Sequence, residues 1–180
     1  MTTYIVLLRG INVSGHNKIK MAALKQSLLQ LGFNEVVTYI QSGNVIFKTN
    51  KTDVLNIEQL IIDQINKDFG HTIKALVITK KQLNALFLSN PFLKRKTIDI
   101  KTLYVAILKD NYNAEGIKQM VPFLTNNEEI EIINNFAFLY YPNSAGNSKL
   151  TTNLIEKKLK TTATTRNWRT ITKLIELSNN

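Results

Sequence analysis

Two polar clusters hold the residues whose types and spacing can do chemistry. In the first, Arg9 precedes the loop Gly10-Ile11-Asn12-Val13-Ser14-Gly15-His16-Asn17-Lys18, and Gln41-Ser42-Gly43-Asn44 forms a turn further along. A glycine-bearing loop that enters a helix presents main-chain N–H groups to an anion, and nearby cations add attraction. Arg9, Asn12, Lys18, Gln41 and Asn44 are the candidate ligand-binding residues here, with Lys20 adding charge. In the second cluster, Lys149 and Arg166 are candidates for holding an anion, close to Trp168, the single tryptophan. The glycines do not fall at P-loop or dinucleotide spacing, so neither nucleotide motif is present. The same residues also suit a plain strand-to-helix connection and a hairpin, both of which use glycine at positive φ.

Other chemistries find little footing. The two histidines, His16 and His71, have no carboxylate cluster beside them in the sequence, which makes a poor metal site, so no metal ligands are assigned. Neither histidine falls in a recognisable Ser-His-Asp arrangement. The 13 Asp and Glu residues lie mostly on predicted helix faces, which leaves no candidate for a paired-carboxylate mechanism. The absence of cysteine excludes disulfides, thiolate metal sites and thiol nucleophiles. No cofactor is implied.

The elements that must position these clusters follow from hydrophobic periodicity. Tyr4–Arg9 reads as a buried strand, and Met21, Leu24, Leu28 and Leu31 share one face of a helix that Gly32 ends. Val36–Ile40 and Val45–Thr49 read as strands joined by a two-residue hairpin at Ser42-Gly43. Ile57, Leu60, Ile61, Ile65 and Phe69 stripe a second helix closed by Gly70, and Ile73–Thr79 is a fourth strand. Thr79 and Gln82 then form a capping box for a short helix. The order repeats in the second half: a strand at Thr102–Leu108, a helix at Ala114–Val121, strands at Glu129–Ile133 and from Phe136 to Tyr140, and a helix lined by Leu150, Leu154, Ile155 and Leu159. Ser148 or Asn147 is expected to cap that helix. An extended segment, Thr162–Arg166, precedes a last helix with Trp168 as its buried anchor. The expected fold is α+β, with two ferredoxin-like βαββαβ lobes, each an antiparallel sheet with helices packed on it. The lobes are expected at 1–88 and 102–180, joined by a linker over 89–101 that carries Asn90-Pro91 and Lys94-Arg95-Lys96.

This topology makes a geometric prediction. If the first strand points up, the loop Gly10–Lys20, the turn Gln41–Asn44 and the segment Gly70–Thr72 all lie at the top of the first lobe. In the second lobe, Pro142–Lys149 and Arg166-Asn167-Trp168 share the opposite end.

Composition sets the bounds. At 180 residues, with 44% hydrophobic and 20% charged residues, the chain can bury a full core. The formal charge of +10 attracts phosphates and nucleic acid, although the lysines are scattered. No apolar run approaches a membrane span, and the N-terminus lacks the pattern of a signal peptide, so a cytoplasmic protein with no membrane partner is expected.

The polar stretches also carry a resemblance. Arg9-Gly10-Ile11-Asn12-Val13-Ser14-Gly15, Asn17-Lys18-Ile19-Lys20-Met21 and Tyr39-Ile40-Gln41-Ser42-Gly43-Asn44-Val45 are similar to hallmark stretches of the domain-of-unknown-function 1697 family. Ser148-Lys149-Leu150, Ala163-Thr164-Thr165-Arg166-Asn167-Trp168 and Thr172-Lys173-Leu174 resemble its C-terminal signature. The resemblance implies a bacterial, cytosolic α/β protein with ferredoxin-like lobes and no assigned activity. Ser14 stands where the pattern implies glycine, and His16 is not part of it.

Three function classes follow. The first is a module that binds an anionic ligand: a nucleotide, a phosphometabolite or single-stranded nucleic acid. The second is an enzyme acting on a phosphorylated small molecule, with Arg9, Asn12 and Lys18 as polarising groups. The third is an assembly module whose polar loops only lock the fold.

Overall fold

A computed structural model describes residues 1–13, 15–109 and 111–179. The chain divides into two compact units, Met1–Ala85 with Lys173–Asn180, and Leu86–Thr172.

The first unit contains β1 (Thr2–Arg9), α1 (Met21–Leu29), β2 (Asn34–Tyr39), β3 (Asn44–Thr49), α2 (Val54–Phe69) and β4 (Lys74–Thr79). The strands form an antiparallel sheet in the order β2-β3-β1-β4, the expected ferredoxin-like lobe. β1 is a central strand between β3 and β4, and Tyr4 through Leu8 are all buried. Tyr4, Val6 and Leu8 face a core completed by Leu24 and Leu28 of α1 and by Ile57, Ile61 and Ile65 of α2. The three isoleucines recur at helical spacing, so one stripe of α2 is apolar and the rest is solvated. Asp53 caps α2, accepting from the N–H groups of Leu55 and Asn56, and Gly70 ends it in the left-handed conformation. Glu58 is the exception on this helix: it is buried, and its Oε1 accepts the N–H of Val77 at 2.9 Å. Val77 lies on the edge strand β4, so the carboxylate satisfies a donor that no neighbouring strand can reach.

The turn between β2 and β3 runs through four residues, Ile40–Gly43, rather than the two expected. Asn44 causes the difference: its side-chain amide donates to the Tyr39 carbonyl at 3.1 Å and to Ser42 Oγ at 3.0 Å, closing the wider turn.

α3 (Lys80–Ser89) opens on the expected capping box, with Thr79 Oγ1 accepting the Gln82 N–H at 3.1 Å and Gln82 Oε1 accepting the Thr79 N–H at 2.8 Å. Residues 91–94 form a 3-10 turn capped by Asn90. Arg95 follows, its guanidinium over the rings of Phe92 and Tyr140 and its two terminal nitrogens each 2.7 Å from a carboxylate oxygen of Glu129.

The second unit repeats the topology with β5 (Leu103–Leu108), α4 (Glu115–Met120), β6 (Glu129–Ile133), β7 (Phe136–Tyr140), α5 (Thr152–Leu159) and β8 (Ala163–Asn167), in the order β6-β7-β5-β8. Ala106, Leu108, Ala137 and Leu139 pack with Ile155 and Leu159 of α5. The cap of α5 is Thr151, whose Oγ1 accepts the Leu154 N–H at 3.2 Å. Ser148, expected in that role, sits earlier and accepts the Leu150 N–H at 2.9 Å in its own short turn. Glu156 on α5 repeats the arrangement of the first lobe, its Oε1 accepting the N–H of Ala163 on edge strand β8 at 2.9 Å. α6 (Trp168–Ser178) closes the chain. Trp168 is buried, stacked on Phe87 at 5.5 Å between ring centres and edge-on to Phe138 at 6.3 Å. No helix among the described residues is long and apolar enough to cross a membrane.

Candidate functional site

The loop end of the first lobe is tied by amide and main-chain hydrogen bonds. Asn12 occupies the left-handed region at φ 54, a conformation asparagine tolerates better than most residues. Its Nδ2 donates to the carbonyls of Ile19 and Gln41, each at 3.0 Å, and its Oδ1 accepts the Ile19 N–H at 2.8 Å. The Asn12 N–H donates to the Asn17 carbonyl at 3.1 Å, and Asn17 Nδ2 donates to the Gly10 carbonyl at 2.9 Å. The β2–β3 turn docks on β1 through the Leu8 N–H, which donates to the Gly43 carbonyl at 2.8 Å. Gly43, at φ 77, has no room for a side chain: a Cβ there would lie 2.7 Å from Leu8 Cβ and from Ile11 Cδ1. His71 Nε2 lies 3.4 Å from the Lys18 carbonyl, so the segment before β4 reaches the same end. The three segments predicted to share the top of the lobe therefore meet there.

The first loop, the start of α1 and Gln41 of the β2–β3 turn line an open cleft of about 480 Å³. Asn12, Gly15 and Gln41 contribute its polar wall, Ile19 and Met21 its apolar wall, and Lys18 and Lys20 its charge. Among the described residues, no carboxylate belongs to this lining. Lys20 is also the N-cap of α1 and offers no side-chain acceptor to the first-turn N–H groups, unlike Asp53 of α2 and Thr151 of α5.

Of the five candidates in this lobe, Asn12, Lys18 and Gln41 line the cleft. Lys18 and Gln41 are exposed there, whereas the Asn12 amide is engaged by the loops. Arg9 and Asn44 lie outside the lining. Arg9 is half-buried at the end of β1, opposite Lys74 in the β1–β4 register. Asn44 is fully buried in the turn it closes. Ser14, in the same loop, lies outside the described residues.

In the second lobe, Lys149 and Arg166 share one end of the sheet but not one face. Thr152 and Thr165 bring the start of α5 to β8 through a 2.8 Å hydroxyl contact. Thr165 thus faces the helices, and its neighbour Arg166 alternates to the other side of the sheet. Arg166 Nη1 donates to the Thr165 carbonyl at 2.9 Å, and burial pushes the guanidinium down to about 10, still charged at neutral pH. Lys149 is exposed in the loop before α5. Among the described residues, no group of three His, Cys, Asp or Glu side chains is placed to hold a metal ion.

Met21, which the sequence reading places on the helical stripe of α1, also lines the cleft, beside Ile19, which is buried in the core of the lobe. Lys20 between them, directly before the stripe, is the one sequence signal that marks this wall.

A sequence profile for proteins of unknown function, DUF1697, matches residues 1–138. No curated protein matches the chain. Among solved structures, a conserved bacterial protein, SP0830 from Streptococcus pneumoniae, superposes with a TM-score of 0.75 at 21% identity, over 98% of each chain. At that identity the likeness shows a common fold.

Proposed function

We propose that this chain, which belongs to the DUF1697 family of proteins of unknown function, binds a small anionic ligand at the loop end of its first lobe. The observation that carries this reading is the cleft of about 480 Å³, which holds Lys18 and Lys20 and, among the described residues, has no carboxylate in its lining. A volume of this order suits a small molecule. In such a recess a phosphate gains from both ammonium groups and from N–H groups of the adjoining loop and helix start. Gln41 is exposed beside the lysines and supplies an amide for orientation. The test is calorimetric titration with inorganic phosphate and with nucleotides, on the parent chain and on Lys18→Ala and Lys20→Ala. Binding that either substitution weakens severalfold, with the melting temperature unchanged, supports the reading; a silent titration overturns it. A steep fall in affinity with rising salt would instead indicate a polyanion such as single-stranded nucleic acid.

An assembly role has one observation in its favour. The amides of Asn12 and Asn44 are engaged in closing loops, so part of the polar cluster has a purely structural use. Under that reading, Lys18 and Lys20 are solvated surface charges and their removal changes nothing in either measurement.

A further inference from the structure

We propose that the outer edge of β6 docks an extended segment of another protein as an added strand, with a lysine or arginine of that segment set beside Glu131. The inference is independent of the cleft in the first lobe. It starts from how the four edge strands among the described residues are finished. β4 and β8 each have an edge N–H taken by a helix glutamate, Glu58 at Val77 and Glu156 at Ala163. β2 is interrupted by a register shift between Asn34 and Val37, with Glu35 at φ 50. Bulges and covering groups of this kind keep an edge from pairing with a further strand. β6 has neither: its five residues pair with β7 in one unbroken register, from Glu129 opposite Tyr140 to Ile133 opposite Phe136. The Asn135 carbonyl accepts from Leu108 of β5, and the Tyr141 N–H donates to Thr102 just before that strand. Alternation therefore turns the main-chain groups of Phe136, Phe138 and Tyr140 toward β6, and those of their partners Ile133, Glu131 and Glu129 toward β7. The N–H and C=O groups of Ile130 and Ile132 are left facing outward, and among the described residues no strand pairs with them from that side.

The side chains define the occupant. Ile130 and Ile132 are half-buried against the core of the lobe, so an added strand would set apolar residues beside them on the helix face. Glu129 and Glu131 alternate to the other face. Both terminal nitrogens of Arg95 engage Glu129, whereas Glu131 is exposed. A cation opposite Glu131 is favourable there, and an anion is not. A second copy of this chain fits poorly. With Ile130 opposite Ile132 of that copy, the two Glu131 carboxylates would face each other, and each chain carries a formal charge of +10. Charge complementarity thus selects a different chain, with the alternating pattern apolar, basic, apolar.

Nuclear magnetic resonance titration of the full chain with the end-capped peptide Thr-Thr-Val-Lys-Val-Thr-Thr tests this, in 0.15 M salt, where charges more than about 8 Å away are screened. The amide signals of Ile130 and Ile132 should shift and gain protection from exchange. The same peptide with glutamate in place of lysine should bind about three- to tenfold more weakly. Glu131→Lys, a substitution at an exposed position, should reverse that order. Main-chain N-methylation of both valines removes the N–H groups that reach the Ile130 and Ile132 carbonyls and should abolish binding. The peptide changes leave the protein itself intact, so a failure to fold cannot imitate their effect. Unmoved signals at Ile130 and Ile132 overturn the proposal, as does equal binding of the two peptides, an unchanged order with Glu131→Lys, or full binding of the methylated peptide. A dimer of the chain in sedimentation that Glu131→Gln strengthens would give this edge to a second copy and overturn the assignment of the partner.

Discussion

The side-chain amide of Asn12 donates to the main-chain carbonyl of Gln41 at 3.0 Å, and this bond joins the two loops that form the cleft. The same amide donates to the Ile19 carbonyl, and Asn12 Oδ1 accepts the Ile19 N–H. One side chain therefore sets the distance between Gln41 and the lysine-bearing wall. Asn12→Ala removes all three bonds and leaves an alanine at φ 54. The expected loss of stability is about 1–3 kcal/mol, measured by chemical denaturation. Asn12→Asp retains the acceptor for Ile19 N–H and should lose less. Equal stability of Asn12→Ala and the parent would show that the loops close without this amide.

Glu58 and Glu156 form a second test, because the lobes use them alike. Each lies on the second helix of its lobe and accepts an N–H from the edge strand, Val77 in one case and Ala163 in the other. Glu58→Ala leaves a buried donor unsatisfied, which costs about 1–3 kcal/mol. The effect of Glu156→Ala should be smaller, because that residue is only half-buried. Reversed order in denaturation midpoints would contradict this account.

Much of the fold could be read from local pattern. The stripe Ile57, Ile61, Ile65 and the alternation Phe136, Phe138, Tyr140 state their own faces, and the repeated element order leads to two antiparallel sheets. The shared end of the first lobe was legible for the same reason, since it follows from strand direction alone. The conformation of Ile40, left-handed at φ 49, was not. Its β-branched side chain reads as the last strand residue, and tertiary closure by Asn44 and Gly43 overrides that propensity. Glu58 and Glu156 read as solvated helix charges, because nothing local indicates that an edge strand passes within reach. The role of Asn44 stayed open in the sequence, since a turn-closing amide and a ligand-facing amide are the same residue type at the same position.

Gly116 in α4 should tolerate no side chain. A Cβ at this position would stand 2.0 Å from the main-chain carbonyl oxygen of Lys158 in α5. Glycine to alanine in a helix interior ordinarily stabilises by up to about 1 kcal/mol. Here the two helices must separate, so Gly116→Ala should destabilise by about 1–3 kcal/mol. A raised melting temperature for this variant would mean that α4 and α5 do not approach this closely.

Trp168 anchors the start of α6 between Phe87 and Phe138. It is 2% exposed, so truncation removes a full aromatic side chain from a packed site. Trp168→Ala should cost about 3–5 kcal/mol, and Trp168→Phe clearly less. The indole is the only tryptophan, so its fluorescence reports the same site during unfolding of the parent chain. A red-shifted emission in the native state, typical of an exposed indole, would contradict this burial.

Tyr141 gives the chain a pH dependence on the alkaline side. Its hydroxyl is buried and donates to the Leu150 carbonyl at 2.7 Å, fixing the loop that leads into α5. Burial raises its ionisation well above the ordinary tyrosine value of 10.0, with the nearby charge of Glu128 acting in the same direction. The folded state therefore keeps this proton at a pH where the unfolded chain has released it. A group whose folded value is raised contributes stability in full below the unfolded value and loses it as pH climbs toward the folded one. Stability should thus begin to fall above about pH 10, where tyrosine in the unfolded chain ionises. Tyr141→Phe removes the titrating group and leaves the Leu150 carbonyl without its donor. At neutral pH that variant should be less stable by about 0.5–1.5 kcal/mol. The gap between the two proteins should then narrow from pH 10 upward, because only the parent loses the contribution of this hydroxyl. Denaturation curves for both at pH 8, 10 and 11 decide it, and a gap that stays constant across that range would show that the Tyr141 hydroxyl is not held neutral by the fold.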